Sequence, residues 1–257
     1  MNLREQYVAF LTILRKEIKR YLRIWTQTLL PSAITMSLYF VIFGSLIGSR
    51  IGNMGGFTYM QFVVPGLIMM AIVTNSYSNV VSSFFGSKFS HSVEELLVSP
   101  VSNVVILMGY VVGGVTRGLL VAVVVTLVSL FFTHLHIHSY FVVVAVVLLT
   151  STLFALAGFI NAVYANNFDD ISIIPTFVLT PLIYLGGVFY SMDLLPEFWA
   201  NVSKLNPLVY VVNAFRFGVL GVSDVSLPLA FGMITFFTAA AFAYSMHLLN
   251  SGKRLRQ

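Results

Sequence analysis

The chain has no cysteine, which removes disulfides and thiolate-held metals from consideration. Charge is nearly as scarce. Only 9% of the 257 residues are Asp, Glu, Lys or Arg, against about 25% in a soluble domain. No acidic residue falls inside any of the long apolar runs, and Arg117 is the one lysine or arginine that does. No phosphate-binding loop of the GxxxxGK[ST] kind is present, so any ATP used must be bound by another chain. The apolar runs fill the length and leave no room for a separate soluble domain. The amino end does not read as a cleavable signal, because its charged region is too long and its first apolar run is of spanning length.

What is present is apolar surface. Hydrophobic residues make up 58% of the chain and the mean hydropathy is +0.91, the values of an integral membrane protein. Six runs are expected to span: Thr28–Ile47, Tyr59–Val81, Val104–Phe132, Ser139–Tyr164, Ile171–Tyr190 and Pro228–Leu249. The third would be roughly 43 Å long, more than a hydrocarbon core of about 30 Å, so it must tilt, protrude or break. The fold class is therefore an all-α membrane protein with one transmembrane domain over residues 1–257. The positive-inside rule orients it. Arg4, Arg15, Lys16, Lys19, Arg20, Arg23, Lys88, Lys253, Arg254 and Arg256 fall on one side, and Arg50, Lys204 and Arg216 on the other. That bias puts both termini, Phe84–Pro100 and Asn166–Ser172 in the cytoplasm.

The polar stretches between the spans carry the chemistry. In residues 1–27, Leu11, Leu14, Ile18, Leu22 and Trp25 recur at helical spacing, and Arg15, Lys16, Lys19, Arg20 and Arg23 cover the other side. This is an amphipathic interfacial helix with its cations on anionic lipid. Phe84–Pro100 is the most polar internal segment and holds Lys88, His91, Glu94 and Glu95. Ser92 and Glu95 have capping-box spacing, and Pro100 ends the helix they begin. Leu96 and Leu97 give that short helix an apolar side. In ANNFDDIS, Asp169 or Asp170 is placed to cap the fifth span. Ser191–Leu227 is too interrupted to span and reads as a re-entrant or interfacial hairpin on the outside. His134, His136 and His138 alternate in HLHIHS. On a strand they would share a face and could hold a metal; the other reading is an exposed loop, and no metal is assigned.

Within the spans, Gly44 and Gly48, and Gly109, Gly113, Gly114 and Gly118, form GxxxG pairs that permit close helix approach. Asn75 and Asn79 lie one turn apart. Arg117 needs a polar side chain, a backbone carbonyl or a lipid phosphate as partner. Pro175 and Pro181, with Gly186 and Gly187, make the fifth span deformable. These five, Asn75, Asn79, Arg117, Pro175 and Pro181, are the candidates for a transport pathway whose lining is aromatic and hydroxylic.

Several stretches resemble the permease subunits of ABC-2 type transporters: KFSHSVEELLVSPVS, VPGLIMM, FDDISIIPTFVLTPLIYLGGVFY and LNPLVYVVNAFRFGVLG. The resemblance covers nearly the whole chain and is closest to small bacterial inner-membrane permeases that export drugs or polysaccharides. It implies a homodimer bound to two copies of a separate ATPase subunit, which holds ATP and magnesium; this chain then has no cofactor and is not itself an enzyme. The ATPase grips the coupling helix within residues 84–100, so that Lys88, Glu94, Glu95, Leu96 and Leu97, with Asp169 and Asp170 of the next loop, become ATPase-coupling candidates. ATP-driven alternating access would move an amphipathic, lipid-linked or drug-like substrate across the inner membrane. The rival readings are an ion-coupled secondary transporter and an intramembrane metal-dependent enzyme.

Overall fold

Apolar helices in sequence order build the fold, shown here as a computed structural model that describes residues 2–252. The basic tail residues Lys253, Arg254 and Arg256 lie outside the described residues. Helix α1 runs over Leu3–Arg23 and α2 over Trp25–Ile51. A two-residue hairpin, β1 Asn53–Met54 and β2 Phe57–Thr58, follows. Its turn is Gly55–Gly56, both with positive φ, as the tightest hairpin turns require. Thr58 then starts α3, Tyr59–Phe89, with a capping box to Gln61. Next come α4 Ser92–Val98, α5 Asn103–Ser129 and α6 Tyr140–Tyr164. The last four are α7 Asp170–Tyr184, α8 Glu197–Ser203, α9 Pro207–Leu220 and α10 Leu227–Ser251.

Five helices, α2, α3, α5, α6 and α10, are long and apolar enough to cross a membrane. The expected fifth span is shorter than the sequence suggests. Helix α7 is among the apolar helices of 10–17 residues, at most about 26 Å long. It stops at Tyr184 because Gly186 and Gly187 turn the chain, the latter with φ +75°. The chain nevertheless passes from one end of the bundle to the other here. Val163 and Ala165, just before α7, bond to Lys88 at the α4 end. Phe189, just after it, accepts a hydrogen bond from the Tyr59 hydroxyl at the opposite end (3.1 Å).

The second span also differs from expectation. Its helix continues to Phe89, so the polar segment from residue 84 begins as the end of α3, and the separate short helix is only Ser92–Val98. Helix α3 is the axle of the bundle. It packs on α5, α6 and α9, and 78% of its most apolar stretch is buried, against 12% for α2 and 11% for α10. Glycine permits the closest approaches. A Cβ on Gly66 of α3 would lie 2.7 Å from the Val188 carbonyl oxygen, so the turn after α7 rests directly on that backbone.

Two helices have wide, five-residue hydrogen-bond turns: α2 over Phe40–Ile47 and α7 over Pro175–Leu179. In α7 the cause is legible. Pro175 and Pro181 lack the N–H groups of the regular ladder, and the Thr180 hydroxyl donates to the Pro175 carbonyl (2.8 Å). Such turns weaken a helix locally and are frequent at functional sites.

Candidate functional site

The polar chemistry gathers at the α4 end and on the face of α3 leading away from it. Helix α4 does not begin with the expected box. His91 takes a left-handed conformation (φ 57°) ahead of the helix, and the Ser92 hydroxyl donates back to the Ser87 carbonyl (3.1 Å). Ser92 is thereby spent on the end of α3. Val93 is buried, and Leu96 and Leu97 pack half-buried against the core. The two leucines are turned largely inward, so the apolar side chain displayed to solvent is Val98, 84% exposed. Glu94 lies 3.3 Å from His91 Nδ1. Glu95, expected to be held by its own cap, is exposed and has no side-chain partner among the described residues. The roles of the two glutamates are thus the reverse of those the box would give.

Lys88 does not reach the surface of this unit. It is buried, and its ammonium donates to the carbonyls of Val163 and Ala165 at 2.8 Å each. These carbonyls lie at the end of α6, where helices leave acceptors unsatisfied. Lys88 therefore locks α3 to the loop before α7 rather than offering its charge outward. Phe168 of that loop packs on Phe85 and Phe89, with ring centroids 5.0 and 4.9 Å away. The start of α7 is not capped by Asp169. The Asn167 side chain accepts from the Asp170 N–H, and the Asp170 carboxylate accepts from the Asn166 N–H, both at 2.8 Å. Asp169 is left exposed.

Helix α1 joins this unit from the side. Gln6 clamps the chain just after α4 with two bonds of 3.1 Å, to the Pro100 carbonyl and from the Ser102 N–H. Ile13 and Glu17 lie on Gly109 and Gly113 of α5, where an added Cβ would be 2.6 Å from each. Gly114 and Gly118 turn the other way, toward Val80 and Ser76 of α3 and Ala155 and Ser151 of α6. The face of α1 buried within the protein is Ile13, Glu17 and Tyr21. Leu11, Leu14 and Ile18 are half-buried, and Leu22 and Trp25 are exposed. Of the cations, Arg15, Lys16, Lys19 and Arg23 are exposed. Lys16, Lys19, Arg20, Leu22 and Arg23 line a concavity of about 730 Å³.

Glu17 is the residue that sequence reasoning missed. It is fully buried. Its carboxylate accepts from Ser83 (2.5 Å), Arg20 (3.1 Å) and Asn79 (3.5 Å). Arg20 also donates to the Asn79 backbone and side-chain oxygens, both at 2.9 Å. One turn farther along α3, Asn75 accepts from Arg117 (2.9 Å) and donates to Ser32 (3.0 Å). Asn75, Asn79 and Arg117 are thus brought together in a buried polar seam that ties α1, α2 and α5 to α3. A single acid in a run of cations was the available signal for Glu17.

Pro175 and Pro181 lie elsewhere, in α7, whose last residue meets α2. Tyr39 and Tyr184 meet hydroxyl to hydroxyl at 3.1 Å. Phe189 contacts Tyr39, Phe43 and Tyr184, with ring centroids 4.5–6.1 Å away. The two helices with irregular turns thus share one aromatic cluster.

At the opposite end, the segment between α7 and α10 holds α8 and then α9, which packs on α3, α6 and α10. Its hub is Arg216, buried under the Gly187 carbonyl (2.6 Å) and 3.8 Å above the Phe62 ring. Asp224 lies 4.0 Å from Arg216 and accepts from the Ser191 hydroxyl and the Met192 N–H, both at 2.9 Å. His134, His136 and His138 lie beside the end of α9, exposed on a loop without regular secondary structure rather than on a strand.

These features define a multi-span helical membrane protein with one polar, interlocked end and one seam of buried polar bonds. The chain belongs to the ABC-2 type transporter family, whose sequence profile matches residues 8–220. It is 57% identical over 250 residues to the inner membrane transport permease YadH of Escherichia coli K12, covering 97% of this chain and 98% of that one. It is 24% identical to nodulation protein J of Neorhizobium galegae, over 96% and 94% of the two chains. Identity to nodulation protein J of Rhizobium meliloti is 21%, over 93% and 92%.

Proposed function

We propose that the chain is the permease subunit of an ATP-binding cassette exporter in a bacterial inner membrane. It would work as a homodimer with a separate ATPase that binds ATP and magnesium. The name of the E. coli relative supports the membrane and the permease role. In this reading α7 and the turn after it supply a sixth crossing, and both termini and α4 are cytoplasmic. The observation that carries the proposal is the interlocked end. Gln6 ties α1 to the chain after α4, Lys88 ties α3 to the loop before α7, and the Phe85–Phe89–Phe168 cluster closes the joint. A push on α4 therefore reaches four helices as a rigid-body motion. The outward groups of this lever are His91, Glu94, Glu95 and Val98, with Asp169 exposed on the loop before α7. Leu96 and Leu97 stiffen it from beneath, and Lys88 acts through the joint.

The substrate would be amphipathic, lipid-linked or drug-like, and its path would follow the aromatic cluster between α2 and α7. Movement there would draw on the irregular turns around Phe40–Ile47 and Pro175–Leu179. The test is copurification of the tagged chain with its ATPase, followed by ATP turnover in nanodiscs. Glu95→Arg with Val98→Asp should leave membrane insertion intact and lower ATPase capture at least tenfold. Normal capture and normal transport by that double variant would reduce α4 to a surface loop and sink the proposal.

A further inference from the structure

A cavity at the end opposite α4 is formed by three separate pieces of chain. Phe57 and Gln61 come from the hairpin and the start of α3, Val219 and Leu220 from the end of α9. The loop after α5 contributes His134, His136, Ile137 and His138. All three histidines line the same cavity. The loop is pinned by two backbone bonds, His138 N–H to the Val219 carbonyl (3.1 Å) and Ser139 N–H to the Gly218 carbonyl (2.8 Å). The His138 ring stands edge-on to Phe217, with centroids 5.4 Å apart. It occupies the space left by Gly221, where a Cβ would lie 3.2 Å from Nδ1.

The size and the lining restrict what fits. The cavity holds about 170 Å³, room for roughly five waters at ~30 Å³ each. Pockets for drug-sized molecules run to roughly 300–1,000 Å³. Among the described residues, no group of three or more His, Cys, Asp or Glu is arranged to hold a metal. No carboxylate lines the cavity. Gln61 Oε1 already accepts from the Thr58 N–H (3.1 Å), so the NH₂ of that amide is the end left to donate. Nearby charges are engaged or remote: Arg216 is buried against Phe62, Asp224 is bonded to Ser191 and Met192, and Arg50 lies before the hairpin on α2. The available groups are three imidazoles and one amide donor. Imidazole is the side chain that gains positive charge between pH 8 and 5.

We propose that this cavity is an anion site for a phosphate group, held by His134, His136, His138 and Gln61. The phosphate is either a free solute or a lipid headgroup. The test is calorimetric titration of the purified full chain, in phosphatidylcholine nanodiscs, with inorganic phosphate at pH 5.5 and pH 8. Saturable binding at least tenfold tighter at pH 5.5 is expected. It should be lost in H134Q/H136Q/H138Q and kept in His91→Gln, which alters a histidine at the other end. His136→Gln alone, at an exposed position, should weaken binding severalfold, and it serves as the test if the triple variant is misfolded. Phosphatidylglycerol in the nanodisc competes with phosphate if the natural ligand is a headgroup and leaves the titration unchanged if it is a solute; either supports the site. Absence of saturable binding at pH 5.5, binding unchanged in His136→Gln and the triple variant, or stoichiometric zinc binding without phosphate binding overturns it.

Discussion

The Glu17–Arg20 pair makes an asymmetric prediction. The Glu17 side chain is 0% exposed and that of Arg20 is 24% exposed. Removing Arg20 leaves a buried carboxylate held only by Ser83 and Asn79, the situation that costs about 3–5 kcal/mol. Removing the charge on Glu17 leaves a guanidinium that keeps its bonds to the Asn79 oxygens and can turn toward water. Glu17→Gln keeps the volume over Gly113 and the bond from Ser83, so its cost is about 1–2 kcal/mol. At about 2–4 °C per kcal/mol for a chain of this size, Arg20→Met should lower the melting temperature by on the order of 10 °C and Glu17→Gln by about 4 °C. With Gln at 17 no charge is stranded, so the double variant should fall short of additivity by about 1.5–3 kcal/mol. Fluorescence suits the assay, because the two tryptophans are Trp25 and Trp199 and Trp25 lies two residues beyond α1. Equal losses for the two single variants, or strict additivity, would refute the account of α1 as docked through a buried carboxylate.

Gly113→Ala should destabilise by about 1–3 kcal/mol, because its methyl group would lie 2.6 Å from the Glu17 Cβ, a contact that only separation of α1 from α5 relieves. Gly86→Ala meets nothing within 4 Å and should be neutral or slightly stabilising in the same melting experiment. Lys88→Met should cost about 2 kcal/mol by leaving the Val163 and Ala165 carbonyls without their donor, and limited proteolysis should then cut faster within residues 165–169. Pro181→Ala returns an N–H to the α7 ladder, which should raise the melting temperature slightly and slow transport severalfold; unchanged transport would reduce the proline to a structural fixture.

Length and hydrophobicity made the long helices legible, since a run such as Ser139–Tyr164 has few alternatives. The end of α7 was harder. Gly186 and Gly187 announced a loosened segment, but only the seating of Val188 on Gly66 and of the Gly187 carbonyl on Arg216 fixes the turn there. The glycines of α5 were legible as contact points, whereas their division into two opposed faces was not. Glu17 was obscured because the apolar residues around it suggest a different buried face. Its burial depends on Ser83 and Asn79, some sixty residues away. The start of α4 depends on a local conformation, the left-handed His91, and on the Ser92 bond to the end of α3, neither of which the box spacing shows. The histidines lie on an exposed loop, the plainer of the two readings their spacing allowed, and the cavity they line is completed by Phe57, Gln61, Val219 and Leu220, which that spacing does not show.

The distribution of these contacts follows from the solvent. In lipid, apolar surface gains little by moving from acyl chains to another helix, so association rests on close packing and on polar bonds. Helices α1, α3, α5 and α6 have both: glycine contacts at Gly109, Gly113, Gly114 and Gly118, and bonds from Glu17, Arg20, Lys88 and Arg117. Helices α2 and α7 have far fewer. Helix α2 is mostly exposed, and α7 buries little beyond Leu179 and Ile183. Both also contain irregular turns, whose weaker hydrogen-bond geometry lowers the cost of bending. A change of shape therefore costs least where α2 meets α7 through Tyr39, Phe43, Tyr184 and Phe189, and most in the block joined to α4. If the proposed drive from the α4 end is right, it would use this division, with force passing through the stiff block to deform the α2–α7 contact.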